Sequence, residues 1–193
     1  MPVQIPVDIT IVTLRYKGQE QPQRWTDAYA KSILETASAT WKDRADIEFK
    51  LASSERVVEE MPPGMLGDTV DGSGYHFLAH QHPAGNGARV LLVDKVSLRD
   101  LGGEAREQIR VCLVAYGSDK DPVARMLAHE LGHLLSLKHI DDPKLRGPGQ
   151  EKLVAQWMVN LMYSGALNPD AEVNSDQVKA ATSSDLAKRF GGR

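Results

Sequence analysis

Apolar residues recur along this chain in two rhythms, and the switches between them mark the elements. Val7 to Tyr16 is rich in β-branched residues and reads as a first strand. From Thr26, which offers an N-cap, Ala30, Ile33, Leu34, Ala37 and Trp41 fall at helical spacing, so residues 26–43 are predicted as an amphipathic helix. Ile47 to Val58 returns to a strand pattern, with Ile47, Phe49 and Leu51 expected on one face. Strand, helix, strand in this order implies a βαβ unit and a partly parallel sheet.

Residues 59–87 break the rhythm, with Pro62-Pro63-Gly64, Asp71-Gly72-Ser73-Gly74 and a Gly-rich stretch from Pro83 to Gly87. They read as a long loop, and a loop of that length inside a compact domain points to function or to a misassigned stretch. Ala88 to Val96 is then expected as a buried strand and Arg110 to Tyr116 as another. Asp121-Pro122 opens a helix with proline in its first turn, running to about Leu137. An irregular stretch follows. Ser175 to Phe190 reads as a last helix, with Asn174 and Ser175 as capping residues and Gly191-Gly192 behind it.

Composition narrows the picture. A chain of 193 residues can bury one real core and is short for two. With no repeat or linker in view, one domain is expected over 1–193. Its apolar and charged fractions, 41% and 25%, are those of an ordinary globular protein. A net charge of −3 argues against nucleic-acid or anionic-membrane partners, which call for a basic patch. The lone Cys112 sits in an apolar run, admits no internal disulfide and reads as a packed core thiol. The N-terminus has no basic n-region and alternates, so it reads as a strand and not as a signal peptide. No stretch approaches the ~18 apolar residues of a membrane-spanning helix. The compartment stays open between cytoplasmic, as the chain stands, and exported from a longer parent.

The chemistry is concentrated in MLAHELGHLLSLKHI, residues 126–140, which holds three of the six histidines. His129 and His133, four apart on a predicted helix, lie on one face within reach of a single ion. Glu130 is displaced about 100° round the helix, where it can meet a metal-activated water without being a ligand. A catalytic zinc needs a third protein ligand and one open position, and His139 is the candidate. An unbroken helix from His133 to His139 would advance about 9 Å and turn the side chain away by more than about 100°. His139 joins the ion only if the helix ends near Ser136–Lys138 and the chain turns back. Two histidines alone would more often be ordinary buried side chains; Glu130, the third histidine and the apolar face of Leu127, Leu131, Leu134 and Leu135 favour a metal.

These residues resemble a known family. His129 to His139 matches the metzincin zinc motif HExxHxxGxxH at every position but one. Some twenty residues on, Asn160-Leu-Met-Tyr-Ser-Gly165 is similar to the family's Met-turn, with Met162 as its methionine. The resemblance is specific over 121–166 and implies a mixed α/β fold: a twisted, mostly parallel sheet with one antiparallel edge strand, two long helices, the Met-turn and a C-terminal helix. It implies an N-terminal part over 1–139 and a small C-terminal part over 140–193. It also implies one catalytic Zn2+ on His129, His133 and His139, Glu130 as general base, a polypeptide substrate, and a pocket after the scissile bond walled by the zinc helix and by Tyr163 and Ser164. The edge strand that substrates pair with is expected within 76–82 or 102–116, with the second favoured.

Two positions depart from the pattern. Ser136 stands where metzincins have glycine, at a turn whose backbone favours it. Ile140 matches none of the residues that mark the subfamilies after the third histidine, so no subfamily is assigned. Tyr163 directly follows the methionine, as in matrixins, one residue short of the zinc-touching tyrosine of astacins and serralysins, and is not read as a ligand. A second cluster ends in His80 and His82, which would share a face of a strand; the stretch is faintly similar to the matrixin region that carries a structural metal. Leu66 replaces its first expected histidine, and a second structural metal is not expected. Three rivals stay open: a zinc hydrolase of a non-peptide substrate, a degenerate metal-binding module, and a structural zinc domain with Asp141 or Asp142 as fourth ligand. No inhibitory cysteine segment of the matrixin kind is recognisable, so an inhibitor protein is a candidate partner.

Overall fold

A computed structural model describes residues 1–62, 70–95, 103–142, 159–164 and 171–191. Leu66, Val96, the irregular stretch 143–158, Gly165 and Gly192 lie outside the described residues. Among the described residues the long strand β1 (Val3–Tyr16) organises a six-stranded sheet. A turn at Lys17 and Gly18, with φ of 50° and 76°, returns the chain as the two-residue β2 (Gln19–Glu20), antiparallel to the end of β1. Helix α1 (Asp27–Ala45) follows, with Thr26 as N-cap accepting from the Tyr29 amide. β3 (Ile47–Glu60) then lies parallel to β1 on its other side. β4 (Ala88–Val93) and β6 (Val111–Ala115) extend the sheet in parallel, β4 against β1 and β6 against β4. β5 (Gly103–Arg106) closes the row as an antiparallel edge strand on β6. The edge strand is thus in the favoured stretch and not in 76–82.

β4 and β6 are buried on both faces, which is why their sequences run apolar without alternation. Val90, Leu92, Cys112 and Val114 join Ile5, Val7, Ile9 and Ile11 under α1 and α3 (Lys120–Leu134). Leu91, Val93, Val111 and Leu113 face the opposite way, onto Tyr75, Leu78 and Ala79. Trp41 of α1 is wholly buried, and its indole N–H donates to the Ala128 carbonyl at 2.9 Å, tying α1 to α3. Ile47 and Phe49 face the core as expected, but Leu51 is 37% exposed. The register slips there: Val7 opposes Leu51 and Asp8 opposes Ser53, so Ala52 is an extra residue in the ladder.

Two expectations need correction. The supposed loop 59–87 contains a helix, α2 (Gly72–Gln81). Two glycines at its start hide it, since glycine is a poor helix former. Asp71 compensates by accepting from the Gly74 amide at 2.8 Å, and Tyr75, Leu78 and Ala79 supply the apolar stripe. His80 and His82 therefore do not share a strand face. His80 is exposed near the end of α2, and His82, the residue that caps it, meets Glu59 at 2.9 Å. The C-terminal helix is also two helices, α4 (Ser175–Thr182) and α5 (Asp185–Phe190). Ser184 makes the break: its hydroxyl donates to the Ala181 carbonyl at 2.7 Å and accepts from the Ala187 amide at 3.1 Å, serving both ends.

Candidate metal centre

Asp119 caps α3, accepting from the Asp121 amide at 3.2 Å, and Pro122 sits in the first turn, where its missing N–H costs nothing. The helix ends at Leu134, three residues before the expected limit, and the way it ends decides the site. Ser136 adopts φ 65°, in the left-handed region. The Ser136 amide donates to the His133 carbonyl and the Leu137 amide to the Gly132 carbonyl, each at 3.1 Å. These are the paired bonds of a Schellman turn, with serine in the place usually taken by glycine. The left-handed backbone costs a serine about 1 kcal/mol. It survives here, and the Ser136 hydroxyl donates to Glu107.

The turn brings the third histidine back. The Nε2 atoms of His129 and His133 are 3.1 Å apart, and His139 Nε2 lies 3.1 Å from the first and 3.0 Å from the second. Among the described residues this is the group of three ligand atoms close enough to hold an ion. Opposite ring nitrogens are seated on backbone: His129 Nδ1 on the Leu161 carbonyl at 2.6 Å and His133 Nδ1 on the Leu137 carbonyl at 2.8 Å. A carbonyl can only accept, so each Nδ1 carries the proton and each Nε2 of the neutral ring presents a lone pair. Burial, and then the neighbouring His133, holds His129 down to about 3. Burial brings His133 to about 4 against the opposing pull of the Leu137 hydrogen bond. Both rings are thus neutral near pH 7, and their lone pairs face one another with no proton between them.

Such a contact is repulsive until a cation enters it. Three imidazole nitrogens on a tetrahedral zinc, each about 2.0–2.1 Å from it, stand about 3.3 Å apart. The observed spacing is within a few tenths of an ångström, so the donor set fits a borderline-soft divalent ion with room for one further ligand. The Asp141 carboxylate accepts from the Ser164 amide at 3.1 Å and from the Ser164 hydroxyl.

Beneath the histidines the chain makes a tight turn at Asn160–Tyr163. The Tyr163 amide donates to the Asn160 carbonyl at 3.1 Å, and the Met162 amide to the Asn160 side chain at 2.9 Å. Gln177, in the first turn of α4, exchanges two amide hydrogen bonds with Asn160 and so fixes the turn from the other side. Met162 is fully buried, and its carbonyl receives the Ile140 amide at 2.9 Å, one residue after His139. A Cβ at Gly132 would lie 2.5 Å from Met162 Sδ and 2.9 Å from Trp41, so only glycine lets the helix sit this close. Tyr163 is half-buried and Ser164 exposed, both continuing from the turn.

Glu130 is 4% exposed on the other flank of α3. Burial first, and then the nearby Glu104, push its carboxyl up to about 8. The edge strand lies against it: a Cβ on Gly103 would come within 2.9 Å of Glu130 Cγ and Oε1. Sequence reasoning identified His129, Glu130, His133, His139 and Met162, and the structure brings these into one region. It gave no individual role to Gly103, Glu104, Glu107 or Asn160, and the two seating carbonyls went unseen. Asn160 could have been found as a side chain that mimics a backbone turn; carbonyls leave no trace in residue identity.

The protein thus combines an open mixed sheet with a three-imidazole cluster at the end of α3. In fold it is close to archaemetzincin from Methanopyrus kandleri, whose crystal structure superposes with a TM-score of 0.61 at 13% identity, over 93% of this chain and 94% of that one. No protein-family model and no curated sequence matches this chain.

Proposed function

We propose that the protein is a zinc-dependent endopeptidase of the metzincin type. The observation that carries this reading is the convergence of three imidazole Nε2 atoms at 3.0–3.1 Å, two with their protons committed to backbone carbonyls. His129, His133 and His139 would hold one zinc ion. When bound, it supplies a Lewis acid that acidifies water and polarises a carbonyl. The turn at Met162 fills the role of the Met-turn, a rigid floor that keeps His129 in place through the Leu161 carbonyl.

The chain's own residues do the rest. Glu130 accepts a proton from the attacking water at its carboxylate and returns it to the leaving amine. Burial and the nearby Glu104 raise its proton affinity above that of an ordinary carboxylate, which favours its holding the proton until the amine leaves. Its shelter beneath β5 excludes bulk water. β5 is the end of the sheet order, so an extended polypeptide can add to it as a further strand and lay its carbonyls over the three histidines. Tyr163 and Ser164, leaving the turn, would wall the pocket for the side chain after the scissile bond.

Glu130→Ala separates binding from chemistry. It is expected to retain zinc while hydrolysis of a peptide library falls by about 10²–10⁴-fold or beyond detection. Retained hydrolysis would remove Glu130 from the mechanism. A zinc-loaded wild type that cleaves no peptide in a broad library, yet hydrolyses esters or amides of other kinds, would redirect the reading to a non-peptide substrate.

A further inference from the structure

We propose that Glu107 is a positioning residue for the metal centre, acting through Ser136 to hold the left-handed turn that carries His139 to His129 and His133. The inference rests on the zinc reading above and extends it to a residue outside the zinc motif.

Ser136 is the point on which the centre depends twice. Its backbone conformation aims the Leu137 carbonyl at His133 Nδ1, fixing which nitrogen of His133 faces inward. The same reversal swings His139 within 3.1 Å of both partners. Glycine would adopt this conformation freely; a serine does so against the crowding of its own Cβ. The compensating contact is the hydrogen bond from the Ser136 hydroxyl to the Glu107 carboxylate, a charge-assisted bond between residues 29 apart in sequence.

Glu107 offers a firm anchor for that bond. It opens a 3₁₀ turn, Glu107–Ile109, directly after the edge strand β5, and its carbonyl accepts from the Arg110 amide at 3.0 Å. Arg110 pins the turn in place: its guanidinium donates to the carbonyls of Asn86 at 2.7 Å, Gly87 at 3.1 Å and Gly85 at 3.0 Å. The turn bearing His133's seat and His139 is thus tied to the segment that follows the substrate-pairing strand. The chain has replaced the conformational freedom of glycine at this position with a tether to its own rim.

The proposal makes a prediction that simple stability does not. Zinc affinity is measured by competition with a chromophoric chelator, first for wild type, then for Glu107→Ala and Ser136→Ala, and then for Glu107→Ala in a Ser136→Gly background. Each single substitution is expected to weaken zinc binding by about tenfold, the scale of losing an outer partner of a ligand. In the glycine background, where no strain needs compensating, Glu107→Ala is expected to change affinity by less than about twofold. An equal loss in both backgrounds, as a through-space effect of the charge would give, overturns the proposal, and so does no loss in either. A wild type that binds no zinc overturns the functional reading itself, and the first titration detects that separately.

Discussion

Two helices in this protein carry histidines four residues apart with a third histidine shortly beyond. α2 has His76 and His80, then His82; α3 has His129 and His133, then His139. Only the second set brings three ligand atoms together among the described residues. On α2 the two helical histidines are exposed, and His82 is taken by Glu59. On α3 the rings are buried or half-buried, two are seated on carbonyls, and a left-handed residue reverses the chain before the third. Helical spacing creates an opportunity for a metal. Carbonyl seats and a chain reversal are what bring three ring nitrogens together.

The sharpest way to break this contrast is to remove the third histidine from each set. His139→Ala is expected to weaken zinc binding by well over about a hundredfold, more than loss of an outer partner costs. His82→Ala is expected to leave affinity and stoichiometry unchanged, as measured by metal analysis and chelator competition. A large loss from His82→Ala would place the ion on the wrong helix.

Next in size is Gly103→Ala. The added methyl would lie 2.8 Å from the Leu113 carbonyl and 2.9 Å from Glu130, so either the edge strand or the glutamate must move. A loss of about 1–3 kcal/mol in stability is expected, from denaturant unfolding, with peptide hydrolysis falling while zinc stoichiometry holds. Unchanged kcat would mean that Glu130 is not held by β5.

The two cores share a response to alkali. Tyr75, on the buried face of α2, donates its hydroxyl to the Val111 carbonyl at 2.7 Å, and burial raises its pKa far above the ordinary 10.0. Burial likewise pushes the Cys112 thiol, on the α3 side, well above 9.0. For both groups the folded state keeps a proton that the unfolded chain loses. Stability is therefore full below pH 9 and falls as pH rises past the two unfolded values, by up to about 1.4 kcal/mol per pH unit for each group. Cys112→Ala is expected to remove the part of the fall that begins near 9. A Tm that stays flat from pH 8 to 11 would contradict this.

The smallest effect is expected from the pair that occupies His82. Its side chain and that of Glu59 are partly exposed, so His82→Gln should change stability by less than about 1 kcal/mol. A larger loss would show that α2 depends on this contact more than on Tyr75 and Leu78.

Most of the fold was legible because its periodicities are strong. The strands from Val7, Ile47, Ala88 and Arg110 and the helices from Thr26 and Asp121 all form, with ends displaced by a few residues. What stayed hidden has a physical reason in each case. α2 begins with Gly72 and Gly74, whose flexibility outweighs the cap at Asp71 in any pattern of propensities. The break at Ser184 depends on one hydroxyl serving two backbone groups, which no period records. At the candidate metal centre the three clustered histidines were legible from spacing, and, with α3 ending earlier, at Leu134, the turn expected near Ser136–Lys138 forms at Ser136. Its partner Glu107, 29 residues earlier, and the carbonyls of Leu137 and Leu161 depend on tertiary placement alone.

The most direct test of the metal centre is an anomalous-difference map recorded at the zinc edge from crystals of the zinc-loaded protein. One peak is expected, about 2.0–2.1 Å from the Nε2 atoms of His129, His133 and His139. No peak at that position, or one seated on His76 and His80, would contradict it.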